Sequence, residues 1–236
     1  MGVKQIFSDF YINSPSTGAP EIGEFYWVPT PGIGFKVVEA TRSTPQATKT
    51  YEIELRDFDA GKHFKTKNHL PTKLVQDATA EALLYQAKLR PCLVLGVGSV
   101  DNLATMADAN QQRQAKALGS KVYLVAPLYS CSCAAKPTQF TPIITARVRA
   151  LHYPHMAYMP DFEGNEPGSI LRLDNIFPTT LGVGMTRLGK RLHQDVHTLV
   201  LAQLCEVLQL DMPDGWREHL RATKELVQDC LPDGLA

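Results

Sequence analysis

The chain has 236 residues, with 24 basic and 24 acidic side chains and no formal net charge. A composition of 44% hydrophobic and 20% charged residues suits a globular chain with a real core and excludes a disordered or collagen-like one. No apolar run reaches the roughly 18 residues of a membrane helix, and zero net charge leaves only a local basic patch for binding a polyanion.

The N-terminus, Met1-Gly2-Val3-Lys4-Gln5-Ile6, lacks the apolar core of a signal peptide, and Ile6 breaks the myristoylation pattern. Residues 1–22 are polar and turn-rich and read as an irregular lead-in. Gly23 to Val28 reads as a strand that Pro29 and Pro31 end. Lys36 to Glu39 and Tyr51 to Leu55 are β-rich, and Ile53 and Leu55 alternate with Glu52 and Glu54 as in a half-buried strand. Gly61 to His69 is basic and reads as an exposed loop. Thr72 to Ala87 has helical apolar spacing, with Thr72 as N-cap. Leu93-Val94-Leu95 and Val122 to Val125 read as strands, with a short polar helix over Ala107 to Leu118 between them. Ile143 to Val148 and Ser169 to Leu173 are further strand candidates. His193 to Gln209 carries apolar residues at 196, 199, 200, 204, 207 and 208, a clear amphipathic helix that should bury Val196, Val200, Leu204 and Leu208. Trp216 to Cys230 reads as a last helix.

Many short strands, few helices and no regular βαβ alternation predict a mainly β chain: a small antiparallel barrel with inserted helices and a C-terminal amphipathic helix. Three segments result: the lead-in 1–22, a barrel domain 23–210 with an insertion at about 30–88, and a helical extension 211–236. The insertion is too short for an independent core and is expected to pack on the barrel.

The five cysteines form no disulfide framework, and Cys131-Ser132-Cys133 is too closely spaced for a zinc or redox motif, so a reducing cytoplasm is expected. Gly184-Met185-Thr186-Arg187-Leu188-Gly189-Lys190 imitates a phosphate-binding loop, but Arg191 stands where Ser or Thr must hold magnesium; it reads as a basic loop before a helix. Gly96-Val97-Gly98 lacks the third glycine of a dinucleotide site, since Asp101 occupies that position. The pairs His193/His197 and His152/His155 lack a third ligand and read as solvated histidines. No metal or cofactor is implied.

Four segments in order carry more meaning than any one alone. They are Gly23-Glu24-Phe25-Tyr26-Trp27-Val28; Arg90-Pro91-Cys92-Leu93-Val94-Leu95; Leu124-Val125-Ala126-Pro127-Leu128-Tyr129-Ser130; and Ser169 to Ile176 with Arg172-Leu173-Asp174, continuing through Gly189-Lys190-Arg191-Leu192 into the amphipathic helix. This order resembles the MazF/PemK family of toxin endoribonucleases, its PemK (Kid) branch in particular. The resemblance implies an SH3-like, PemK-type barrel and a metal-independent single-strand endoribonuclease, the toxin of a type II toxin–antitoxin pair. Single-stranded RNA, a protein antitoxin and a second copy of the chain are the implied partners.

In that reading Asp174 is the base that takes the 2′-OH proton. Arg172, on the same face of the strand, supports the leaving oxygen, more by charge than as a formal acid, because a guanidinium holds its proton too tightly to give it up. Arg90, held extended by Pro91, grips a phosphate. Arg187, Lys190, Ser130 and Tyr129 would contact RNA, Tyr129 by stacking a base. Tyr129 stands where the family has a threonine. The family's His/Glu pair has only Glu39, His63 and His69 as candidates, within the long stretch from Pro29 to Lys88. Taken without the resemblance, Arg172 and Asp174 form a surface ion pair worth about 0–1 kcal/mol, Tyr26 and Trp27 belong to the core, and the chain is a catalytically silent SH3-like binding module. A gyrase-poison-like toxin on the same fold is the third reading, and it would not need the Arg172–Asp174 pair.

Overall fold

The computed structural model describes residues 2–14, 17–32, 34–42, 51–59, 61–63, 82–98, 122–132, 140–160, 162, 168–181 and 185–228. Their elements follow in the order α1 (Val3–Ile6), β1 (Tyr11–Asn13), β2 (Glu24–Pro31), β3 (Lys36–Arg42), β4 (Tyr51–Arg56), β5 (Ala82–Leu84), β6 (Ala87–Gly98) and β7 (Val122–Ser130). Then come α2 (Pro142–Arg149), β8 (Met156–Met159), β9 (Ser169–Arg172), β10 (Phe177–Thr180), β11 (Thr186–Leu192), α3 (Gln194–Leu208) and α4 (Asp214–Gln228). The chain divides into two compact units, Met1–Val28 with Arg90–Ala236, and Pro29–Leu89.

The first unit is mainly β, a curled antiparallel half-barrel with strand order β1-β11-β2-β6-β7-β9-β8, and β10 paired to β7. Its central strands are covered on both faces, which is why Cys92-Leu93-Val94-Leu95 is a continuous apolar run rather than an alternating one. Phe25, Leu93, Leu95, Ala126 and Leu128 join Val196, Leu199 and Val200 of α3 and Leu220 and Val227 of α4 in one core. Tyr26, Val28, Cys92, Val94, Tyr123 and Val125 form a second core on the opposite face. Each fully buried side chain of this size contributes about 1.5–3 kcal/mol. Tyr26 is core as expected, and Trp27 is half-buried.

Several expectations need correction. The lead-in is not irregular: α1 and β1 lie within it, and β1 pairs with β11 through Tyr11↔Leu192. β2 runs on through Pro29 to Pro31. Ile143 to Val148 is helical, because the Thr141 hydroxyl caps the Ile144 amide at 3.3 Å and Pro142 opens the first turn; these start signals outweigh the β-branched run. Arg187 to Arg191 is not a loop before a helix but the body of β11, while Gly184 lies outside the described residues. Along α3, Val196, Val200 and Leu204 are buried, but Leu208 is 43% exposed. It is the last helical residue, and the left-handed Gln209 (φ 54°) turns the chain away after it. The C-terminal extension contributes Leu220 and Val227 to the main core through α4.

The second unit carries its own three-stranded sheet, in the order β4-β3-β5. Residues 72–81 of the expected helix lie outside the described residues. Ala82 to Leu84 are strand, paired with Val38 to Lys36, because cross-strand pairing outweighs a helical spacing this short. β4 is a strand as expected, but Ile53 and Leu55 are 64% and 48% exposed rather than half-buried. His63, expected in an exposed loop, is 6% exposed. Ala107 to Leu118, His69 and Cys133 lie outside the described residues.

Candidate functional site

Three neighbouring strands of the first unit bring distant residues to one place. In the β6–β7 register Cys92 faces Pro127, so two residues further along Arg90 comes opposite Tyr129. The Arg90 guanidinium carbon lies 4.1 Å from the centre of the Tyr129 ring. In the β7–β9 register Tyr129 faces Ile170, which places Arg172 as its diagonal neighbour on the same face. The Arg172 guanidinium carbon is 6.0 Å from the same ring.

β9 ends at Arg172 and the chain turns through Leu173 and Asp174. The turn is fixed by the Leu173 amide, which donates to the His155 carbonyl at 2.9 Å, and by the fully buried Leu173 side chain. Arg172 can therefore reach Asp174 with two parallel bonds, Nε to Oδ1 at 2.7 Å and Nη2 to Oδ2 at 2.5 Å. Asn175 follows, and its Nδ2 donates to the Tyr129 hydroxyl oxygen at 2.8 Å. The hydrogen bond from Arg172 holds the Asp174 carboxyl below its ordinary range against partial burial, and the charges of Arg172 and His155 add to the effect. Asp174 in turn raises Arg172. The cluster has two guanidiniums and one carboxylate, an arrangement suited to a phosphate. Among the described residues the Arg90 guanidinium makes no ion pair, so its donors can serve a ligand.

The other predicted contacts lie elsewhere. Arg187 sits in a second network built around Glu24, whose side chain is fully buried. Arg187 donates to Glu24 Oε2 through Nε at 3.2 Å and Nη2 at 2.5 Å, and to the carbonyls of Thr17 and Ala19 at 3.0 and 3.1 Å. Glu24 also accepts from the Ser14 hydroxyl, the Glu21 amide and the Tyr26 hydroxyl. Burial pushes the Glu24 carboxyl up, but bonds from Ser14, Glu21 and Arg187 outweigh it and hold it below the ordinary value. Tyr26 is pushed up to about 12, first by burial and then by the Glu24 charge. Arg187 thus donates to a buried carboxylate and two carbonyls rather than joining the cluster at Tyr129. Lys190 lies with its Nζ 5.7 Å from the Tyr11 ring and 5.4 Å from the Phe162 ring. Ser130 ends β7 opposite Ser169.

Two of the three His/Glu candidates meet within the second unit. His63 Nε2 is 3.1 Å from Glu39 Oε1, and the Asp59 amide donates to His63 Nδ1 at 2.8 Å. That donor fixes Nδ1 as the acceptor, so Nε2 carries the hydrogen toward Glu39. Of the paired histidines His152 is exposed as expected, whereas His197 is buried, and its ring is pushed down by burial and by Arg191. Among the described residues no group of His, Cys, Asp or Glu is arranged to hold a metal ion, and no helix is long and apolar enough to cross a membrane.

Asn175 and His155 are the site neighbours that sequence reasoning did not select. Asn175 adjoins Asp174, and a polar residue after a strand-ending Arg-x-Asp is a signal that could have found it. His155 is adjacent only through the β8–β9 pairing. Compared with known proteins, the chain matches no family model, no curated protein and no solved structure.

Proposed function

We propose that the chain is a metal-independent single-strand endoribonuclease on a PemK-like, SH3-like barrel, acting as the toxin partner of a protein antitoxin. One observation carries this reading: Arg90 and the Arg172–Asp174 pair, from two distant segments of the sequence, meet at Tyr129, with both guanidiniums over its ring and Asp174 held by Arg172. RNA cleavage by its own 2′-OH needs a base, a phosphate clamp and positive charge on the transition state. Asp174 is the base and is ionised at neutral pH. Arg90 grips the phosphate, and Arg172 orients Asp174 and balances the growing charge. The partner RNA is single-stranded, because the 2′-oxygen must line up with the leaving 5′-oxygen, which a duplex prevents.

Incubating the purified chain with a long single-stranded RNA in EDTA tests this. Fragments ending in a 2′,3′-cyclic phosphate and a 5′-hydroxyl are expected; intact RNA would refute the reading. A silent binding module is favoured by one feature, the engagement of both Asp174 oxygens by Arg172. It would bind the RNA in the same assay and leave it uncut.

A further inference from the structure

Cleavage by the 2′-oxygen requires a proton for the departing 5′-oxygen as well as a base. Neither guanidinium supplies one easily, since an arginine is not deprotonated in proteins. The cluster contains a better donor. A tyrosine hydroxyl is intrinsically a far stronger acid than a guanidinium, and the Tyr129 oxygen already accepts from Asn175 Nδ2 at 2.8 Å. Acceptance from the amide leaves the hydroxyl hydrogen to point elsewhere, and among the described residues it donates to none. The ring face is covered by Arg90 at 4.1 Å, so a base could stack there only by displacing that guanidinium. Tyr129 is thus placed less well as a stacking platform than as a hydroxyl held among cations.

We infer that Tyr129 is the general acid of the cleavage and that Asn175 is its positioning residue; the inference rests on the endoribonuclease reading above. In the reaction the 2′-hydroxyl gives its proton to the Asp174 carboxylate, and the 2′-oxygen forms a bond to phosphorus. The bond from phosphorus to the 5′-oxygen breaks, and that oxygen takes the hydroxyl proton of Tyr129. The resulting phenolate keeps the Asn175 hydrogen bond and lies beside the guanidiniums of Arg90 and Arg172. Through water, Tyr129 then recovers the proton held by Asp174. The net change is one cyclic phosphate and one 5′-hydroxyl, with no proton gained or lost.

The test compares two oligoribonucleotides of one sequence, cut at one site. One has the natural 5′-oxygen at the cleaved bond, and the other has sulfur there, which leaves as a thiolate and needs no proton. Tyr129→Phe, which keeps the ring under Arg90, should lose about 10²–10⁴-fold on the oxygen substrate and stay within about tenfold of the wild type on the sulfur substrate. Activity on sulfur doubles as proof that the variant is folded. Asn175→Ala should show a smaller loss with the same selectivity, a pattern that general loosening of the fold would not give. Asp174→Asn should fail on both substrates. Equal losses by Tyr129→Phe on oxygen and sulfur, or no loss on either, would overturn the assignment. So would an oxygen-selective loss in His155→Ala with none in Tyr129→Phe. A wild-type chain that cuts neither substrate would instead overturn the endoribonuclease reading itself.

Discussion

The first unit holds two arginine–carboxylate pairs of equal closest approach, Arg187–Glu24 and Arg172–Asp174, both 2.5 Å. Their surroundings differ. The Arg187 and Glu24 side chains are 10% and 0% exposed, those of Arg172 and Asp174 29% and 35%. Glu24 accepts from three further donors, Ser14, Glu21 and Tyr26, and Arg187 also donates to two carbonyls. Such a closed network tolerates no lost member, since the partner left behind is a buried charge. The Arg172–Asp174 pair is partly exposed and lies beside the Tyr129 ring and the Arg90 guanidinium, which makes no ion pair among the described residues. A short ion pair is therefore structural or functional according to what else its atoms touch.

The largest effect separating the two pairs should come from Glu24→Gln, which leaves Arg187 unpaired in the interior. Urea unfolding should show a loss of about 3–5 kcal/mol, and Arg187→Met should do the same from the other side. A loss below about 1 kcal/mol would place this pair with ordinary surface bridges.

Arg90→Ala should act on the open site alone. Removing a charge-assisted phosphate contact worth about 1.5–3 kcal/mol should weaken RNA binding by about 10–100-fold at low salt, with an unchanged unfolding midpoint. RNA affinity equal to that of the wild type would remove Arg90 from the site.

Acid should sharpen the contrast further. Glu24 and Asp174 are both held below their ordinary values, so each contributes stability that is full above about pH 4.5 and is lost as pH falls through its folded value. His197 has the opposite charge logic: its folded value lies below 6.5, so the unfolded chain binds the proton more readily. Stability should therefore begin to fall as pH drops below about 6.5, before either carboxylate titrates. A urea midpoint followed from pH 7.5 to 5 should decline in the wild type and decline less in His197→Phe; parallel slopes would show that another group controls this range. Cleavage should persist to mildly acidic pH, because Asp174 stays ionised there.

The smallest effect is expected from Arg172→Ala on stability, about 0–1 kcal/mol, read as a shift in the urea midpoint. A loss as large as that of Glu24→Gln would make the open pair structural as well.

What was legible in the sequence follows the range of the forces involved. The Cys92–Leu95 run and the α3 periodicity are local patterns, and both the strand and the helix form where the pattern lies. Arg172 and Asp174 are close in sequence, so their pairing is legible there, although it is made across the turn that follows β9 rather than along one face of a strand. The bonds of Arg187 depend on Glu24, a buried carboxylate that nothing in the local pattern marks as buried. Ile143 to Val148 was misread because capping by Thr141 and Pro142 decided the element while β-branched content pointed the other way. Asn175 reaches Tyr129 only once β7 and β9 pair, and no spacing rule carries that register.

The most direct measurement places Glu24→Gln and Asp174→Asn side by side, each followed by urea unfolding and by cleavage of a single-stranded RNA in EDTA. Glu24→Gln should lose stability while its folded molecules cut at the wild-type rate. Asp174→Asn should lose no more than about 1 kcal/mol of stability, bind RNA at least as well, and cut about 10²–10⁴-fold more slowly. An Asp174→Asn chain that cuts like the wild type would contradict the functional assignment of the open pair and leave it an ion bridge on a binding surface.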